Sequence, residues 1–339
     1  MLENRWQCLL MLCAVLLIAG AFRSAPAQDR EAPHVQVHEW GVLTYGTDCT
    51  PDLLSAPSSP YATVSPFDDG EIVVRAPVVY FHGPEFTGAL TVESGLGRII
   101  DSRPRPDYLS SDRRKAEWRD LACDFSVSRW ALERDAREIP LTELDDLTLY
   151  MGFWRQVESA VIRRGEDFED RFVYYEIGLD QLPLTTPLIH SRGGSVLIPD
   201  DFDGEMLVFR LTDQGTDICL IEDAADATAS PEDWGFHYPG DDEVIDVLQR
   251  WAVDGLLPEE VLALWATWRG YLLGGENFGR AAGSAVVLYR LPEETVEETC
   301  SLVLETDEGY PVDYCRFILG AMEVPLVGPM FLYEGEGSR

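Results

Sequence analysis

The chain has 339 residues, 46% hydrophobic and 11% aromatic, which is enough apolar side chain for one large or two ordinary domains with real cores and excludes a disordered polymer. Its formal charge of −34 repels phosphate backbones and anionic headgroups, so nucleic-acid and membrane-surface partners are excluded as expectations. The single lysine, Lys115, reflects codon usage more simply than function.

In chain order the first element is a leader. Arg5 precedes an uncharged run from Cys8 to Phe22, and Ala25-Pro26-Ala27 offers small residues for cleavage, so residues 1–27 read as a secretory signal. The run is about 15 residues, short of the roughly 20 that span a bilayer as a helix. The expectation is an exported protein of the periplasm, cell envelope or extracellular space, with no membrane insertion after cleavage. Losing the leader's net +1 takes the formal charge to −35.

Strand signals follow. In VQVHEWGVLTYG, residues 35–46, Val35 and Val37 share one face and His38, Trp40 and Val42 the other, with Gly41 marking a bulge. EIVVRAPVVYFHG, residues 71–83, carries Pro77, which predicts a sheet edge or a break into two short strands. ALTVESG at 89–95 is a third run, and KAEWRDLACDF at 115–125 fits helix or strand equally. RFVYYEIG, GSVLIPD, EMLVFRLTD and DICLIED, between 171 and 223, predict an antiparallel meander, with turn chemistry at Asp203-Gly204 and Asp213-Gln214-Gly215.

Two amphipathic helices come next, about 241–275. Val244, Val247, Leu248 and Trp251 recur at helical spacing, as do Val261, Leu264, Trp265, Trp268 and Leu272, with Pro258 in the first turn of the second helix. Their short link predicts an antiparallel helical hairpin whose tryptophans plug onto a sheet. SAVVLYRLP, TCSLVLET and DYCRFILGAMEVPL return to strands, and residues 334–339 form a frayed tail. The expected fold class is β-rich (α+β), with antiparallel β-sandwich-like layers and one helical hairpin packed on a sheet. The mature chain divides into a β-rich, sandwich-like region at 28–135 and a larger meander-and-hairpin region at 136–333.

Five cysteines remain after leader removal, in a compartment that permits disulfides. Cys300 and Cys315, near the facing ends of two strand-like runs, are the first expected pair, and closing that loop would stabilise by about 3 kcal/mol. There is no H-E-x-x-H, G-x-S-x-G, G-x-x-x-x-G-K or C-x-x-C motif, so zincin, esterase, nucleotide-hydrolase and thiol-redox readings fall away. No cofactor is expected beyond a weak calcium candidate in DDFDGE, with Asp200, Asp201, Asp203 and Glu205 as oxygen donors. Pro199 stands where a helix-loop-helix calcium loop needs its first ligand, and turn chemistry explains the run as well.

The five histidines, His34, His38, His82, His190 and His237, are scattered along the chain, so a local histidine metal site has no support. His38 and Glu39 are the alternative catalytic candidates, Glu39 being the one carboxylate with a distinctive aromatic neighbour; a glycan hydrolase would need a second acid roughly 5–9.5 Å away. The loop PEDWGFHYPGDD, residues 231–242, gathers Trp234, Phe236, His237 and Tyr238 before the hairpin. With Trp40 these form a candidate ligand surface for a carbohydrate or an envelope protein, or else a plug sealing the core. Non-catalytic binding of such a partner is the leading expectation.

The chain also resembles an uncharacterised family of secreted bacterial proteins whose hallmark is His-Glu-Trp-Gly-Thr soon after the signal peptide. Here it reads His38-Glu39-Trp40-Gly41-Val42, so the threonine position departs. Further matches are APVVYFHG at 76–83, AEWRDLACDF at 116–125, RFVYYEIGLDQLPL at 171–184, LWATWRGYLLGG, AVVLYRLP and RFILGAMEV. The resemblance implies that AEWRDLACDF is a strand and that 71–125 forms a small sandwich-like layer; it implies no activity.

Overall fold

In the computed structural model, residues 33–46, 72–125, 146–165, 168–190, 196–199, 202–223, 235–252, 255–274, 284–325 and 331–333 are described. Strands β1 (Val35–Tyr45), β2 (Ile72–His82), β3 (Phe86–Glu93), β4 (Gly97–Arg103), β5 (Tyr108–Leu109) and β6 (Lys115–Asp124) come first. Helix α1 (Asp146–Trp154) precedes β7 (Val161–Arg164), β8 (Phe168–Asp170), β9 (Val173–Leu179), β10 (Ile189–His190), β11 (Val196–Ile198), β12 (Met206–Thr212) and β13 (Gly215–Ile221). Helices α2 (Asp241–Trp251) and α3 (Pro258–Gly274) lead to β14 (Ser284–Arg290), α4 (Glu293–Thr299), β15 (Ser301–Thr306), β16 (Val312–Pro325) and β17 (Phe331–Tyr333).

The strands form three sheets. The largest has the order β13-β12-β14-β16-β1-β2-β9-β4; a six-stranded sheet runs β15-β3-β6-β7-β8 with β5 on β6; a small one runs β10-β11-β17. One face of the large sheet meets the other two sheets across a core that includes Val37, Leu43, Phe81, Leu90, Trp118 and Tyr175. The opposite face is covered by α1, α2 and α3 over Trp40, Val78, Tyr80, Phe209 and Phe317. Sheet-on-sheet packing with a helical layer behind is the expected β-rich, sandwich-like architecture.

The helical stripes are buried where the spacing placed them: Val244, Val247, Leu248 and Trp251 on α2, and Val261, Leu264, Trp265, Trp268 and Leu272 on α3. Each such side chain contributes about 1.5–3 kcal/mol of burial. Among the described residues no helix is long and apolar enough to cross a membrane. Residues 1–27 and 334–339 lie outside the described residues.

Four details depart from expectation. Strands β12 and β13 form a hairpin, but β9 pairs with β2 and β4 while β11 pairs with β10 and β17, so the central runs are not one meander. Local turn chemistry sets only the hairpin; the other partners come from distant segments. Strand β1 pairs parallel with β16 along its whole length, within an otherwise largely antiparallel sheet. Pro77 lies in one continuous interior strand. The ladder tolerates it because β2 carries an extra residue there: Trp40 faces Val78 and Val42 faces Arg75, so three steps on β2 oppose two on β1. The β2–β9 ladder shifts at the same place, between Val74 and Val78. Gly41 lies opposite this bulge, where a Cβ would stand 3.1 Å from the Pro77 Cα.

The fourth concerns Cys300 and Cys315, which are not bonded to each other. Strand β15, which follows Cys300, pairs with β3 in the six-stranded sheet, whereas Cys315 belongs to β16 in the large one. Arg316 points to the Cys300 side, so alternation along β16 turns Cys315 to the helical face. There its Sγ closes on the backbone of Gly255, 1.9 Å from where a Cβ would stand.

Candidate functional site: the two faces of the His-Glu-Trp strand and an open strand edge

Strand alternation sends His38 and Trp40 to the helical face and Glu39 to the sheet-sandwich face. All three are buried. On the helical face, register places His38 opposite Tyr80 and Gln36 opposite His82, so the two histidines are diagonal neighbours on one surface of the β1–β2 pair. Their ring centroids lie 4.5 Å apart at 46°.

Glu260 approaches from the first turn of α3. Its carboxylate accepts from His38 Nδ1 at 2.9 and 3.2 Å and from His82 Nε2 at 3.0 Å. The Leu257 backbone N–H donates to it at 2.7 Å, the reach-back of a capping box with Pro258 in the first helical position. Glu260 has no exposed surface, and His38 and His82 keep 5% and 9%. Burial works to raise the Glu260 pKa, but the hydrogen bonds to His38 and His82 outweigh it and hold the carboxyl below its ordinary value. Burial, then the Glu260 charge, pushes the neighbouring Tyr80 phenol well up; its hydroxyl donates to the Trp154 carbonyl at 3.1 Å. The three side chains bring a carboxylate oxygen and two imidazole nitrogens within 4.8 Å of one another, a donor set suited to a metal.

On the opposite face Glu39 is held by Arg316, whose Nε donates at 2.5 Å, and by the Tyr175 hydroxyl. The guanidinium also donates to Glu297 at 2.7 Å and to the Cys300 carbonyl at 2.8 Å. Burial disfavours the Arg316 charge, yet Glu39, Cys300 and Tyr175 beside it together more than compensate, and the net direction is up. Burial raises the Cys300 thiol and the Tyr175 phenol. Glu39 therefore ends on a cation, which separates it from Glu297, the acid across the guanidinium. A glycosidase acid must reach a glycosidic oxygen, and this carboxylate has no exposed surface from which to do so.

The predicted ligand residues are dispersed. Trp40 is wholly buried, edge-on to Trp154 at 6.1 Å, and offers no surface to a ligand because α1 and α3 cover it. Trp234, Asp200 and Asp201 lie outside the described residues. Phe236 is half-buried under the Arg210 guanidinium, 3.8 Å from its ring centroid. His237 bridges to Ile218 of the edge strand β13 and bonds Glu243 at 2.9 Å, and Tyr238 is 78% exposed. Asp203 lines the groove described next, whereas Glu205 is engaged by Arg250 and the Trp251 indole.

That groove, of about 1190 Å³, was not foreseen. Strand β14 covers β16 only from Pro325 back to Leu319, and the Leu291 N–H then donates to the Ile318 carbonyl at 3.0 Å. Beyond it no described strand pairs with the same edge of β16. By alternation from Ile318, the backbone groups of Arg316, Tyr314 and Val312 point to that side, and none has a backbone partner there among the described residues. One wall is Leu182–Pro187, tied to α4 by Glu298, which accepts from the Leu184 and Thr185 N–H groups; the acids Glu293, Glu294 and Glu297 of α4 line the groove as well.

A scan against protein-family models gives no match, and neither does a search of curated proteins. Among solved structures, the chain is similar to the Fcho1 Mu homology domain of Danio rerio with bound Eps15 peptide, at 9% identity over 91% of this chain and 99% of that one. The TM-score is 0.29, too low for the likeness to bear on fold or function.

Proposed function

We propose that this is an exported, non-catalytic binding protein, and that its partner is a protein that adds an extended segment along the open edge of β16. One observation carries the reading: Tyr314 and Arg316, inside a groove of about 1190 Å³, present strand groups that have no backbone partner on that side among the described residues. A bare edge pairs readily with another chain, main-chain hydrogen bonds supplying affinity and side pockets specificity. Glu293, Glu294, Glu297 and Asp203 outnumber Arg290 and Arg316 in the lining, and Arg316 is already neutralised by Glu39, so the segment that fits carries basic side chains. The leader-like residues 1–27 agree with an exported location.

Selection of peptides from a random library against the full chain tests this. Binders should be extended and basic, and should slow hydrogen exchange at the Tyr314 and Arg316 amides. Peptides that bind without protecting those amides would remove the reading.

A second reading rests on Tyr238, whose 78% exposure at the edge of the large sheet suits stacking on a sugar ring. Under it, Tyr238→Ala lowers retention on an envelope-polysaccharide array and leaves the melting temperature unchanged. Equal retention of the variant and the parent rules the sugar surface out.

A further inference from the structure

We infer that His38, His82 and Glu260 bind one divalent transition-metal ion of the zinc class. The site is independent of the groove, since it occupies the helical face of β1. Imidazole nitrogen and carboxylate oxygen are the donors zinc prefers, and with metal–ligand bonds of about 2.0–2.1 Å the edges of a tetrahedral site measure roughly 3.3 Å. The His38–Glu260 separations of 2.9 and 3.2 Å and the His82–Glu260 separation of 3.0 Å are within a few tenths of an ångström of that edge. An ion taking the place of the two ring protons sets all three donor atoms, which lie within 4.8 Å of one another, to that same edge.

The surroundings are those of a built site. The ligands come from β1, β2 and α3, so only the folded chain assembles them. The Leu257 N–H already orients the carboxylate from behind, as outer-shell donors do in metal centres. The 46° tilt of the rings directs their nitrogens together at Glu260 and excludes face-to-face stacking as the reason for the pairing. Three protein donors leave a fourth position for water.

The test is titration of the full chain, stripped with chelator, using Zn²⁺ and then Co²⁺ alone. Wild type should take one ion per chain, with the visible bands of four- or five-coordinate Co²⁺ and a higher melting temperature when loaded. Affinity should fall more than about 100-fold in His38→Gln and His82→Gln, beyond the loss of an outer-shell partner, and stay unchanged in His237→Gln. Binding that is absent in wild type, or as tight in either ligand variant as in wild type, overturns the site. If the glutamine variants do not fold, zinc-edge X-ray absorption of the wild type decides: two imidazoles with oxygen support the site, and sulfur or fewer than two imidazoles refutes it.

Discussion

At the scale of single residues, Glu39 and Arg316 are a buried pair, with side chains 0% and 6% exposed. Removing Glu39 leaves the buried Arg316 charge with only the half-exposed Glu297, so Glu39→Ala should cost up to about 3–5 kcal/mol, read from denaturant unfolding. Glu39→Leu with Arg316→Leu should cost less than either single change, because it removes both charges together. His237 gives a pH prediction. The Glu243 hydrogen bond, the largest influence, raises its pKa, so the contact is fully formed below the unfolded value of about 6.5 and fades as pH rises through the folded one. The ring is about half exposed, so solvent screens the pair and the effect on global stability is small. An NMR titration should place His237 above the free value, and exchange near Gly235 should quicken on the alkaline side; a titration at or below the free value contradicts the contact.

The sequence told only part of the site. It singled out His38 and Glu39 and the alternation that separates them, yet offered no link to His82 or Glu260. Glu260 carried no sequence signal of its own, though Pro258 two positions earlier marks the helix start that its capping role needs. The cluster needs both the diagonal register of β1 on β2 and the docking of α3, and neither is encoded by local spacing. The unpaired edge of β16 was hidden for the same reason: it depends on where β14 stops, which is a property of two strands together.

Among the elements, α2, α3 and the β12–β13 hairpin were the most legible, because period and turn chemistry are local, whereas the short helices α1 and α4 were not expected. The Pro77 strand shows the limit. Proline forbids one ladder hydrogen bond, but a bulge removes the demand for it, so an interior strand survives where an edge was expected. The link between α2 and α3 is equally exacting. Gly255→Ala puts a methyl on the Cys315 sulfur and should destabilise by about 1–3 kcal/mol through overpacking. Adding Cys315→Ala should return part of that loss, and strict additivity of the two changes in thermal unfolding would show that the contact does not limit the link.

For the whole molecule the decisive pairing is β1 with β16, from Val35 against Val312 to Tyr45 against Met322. It lies mid-sheet and contributes to both cores. A chain ending at Leu291 should therefore lack native near-ultraviolet dichroism, and contacts of such sequence separation predict slow folding compared with helical proteins of equal size. A truncated chain with native dichroism and a cooperative melt would contradict this. The pairing also sets an order of events. Among the described strands, β1 is the first to leave a ribosome, and its hydrogen bonds to β16 can close only after the intervening strands and helices have emerged.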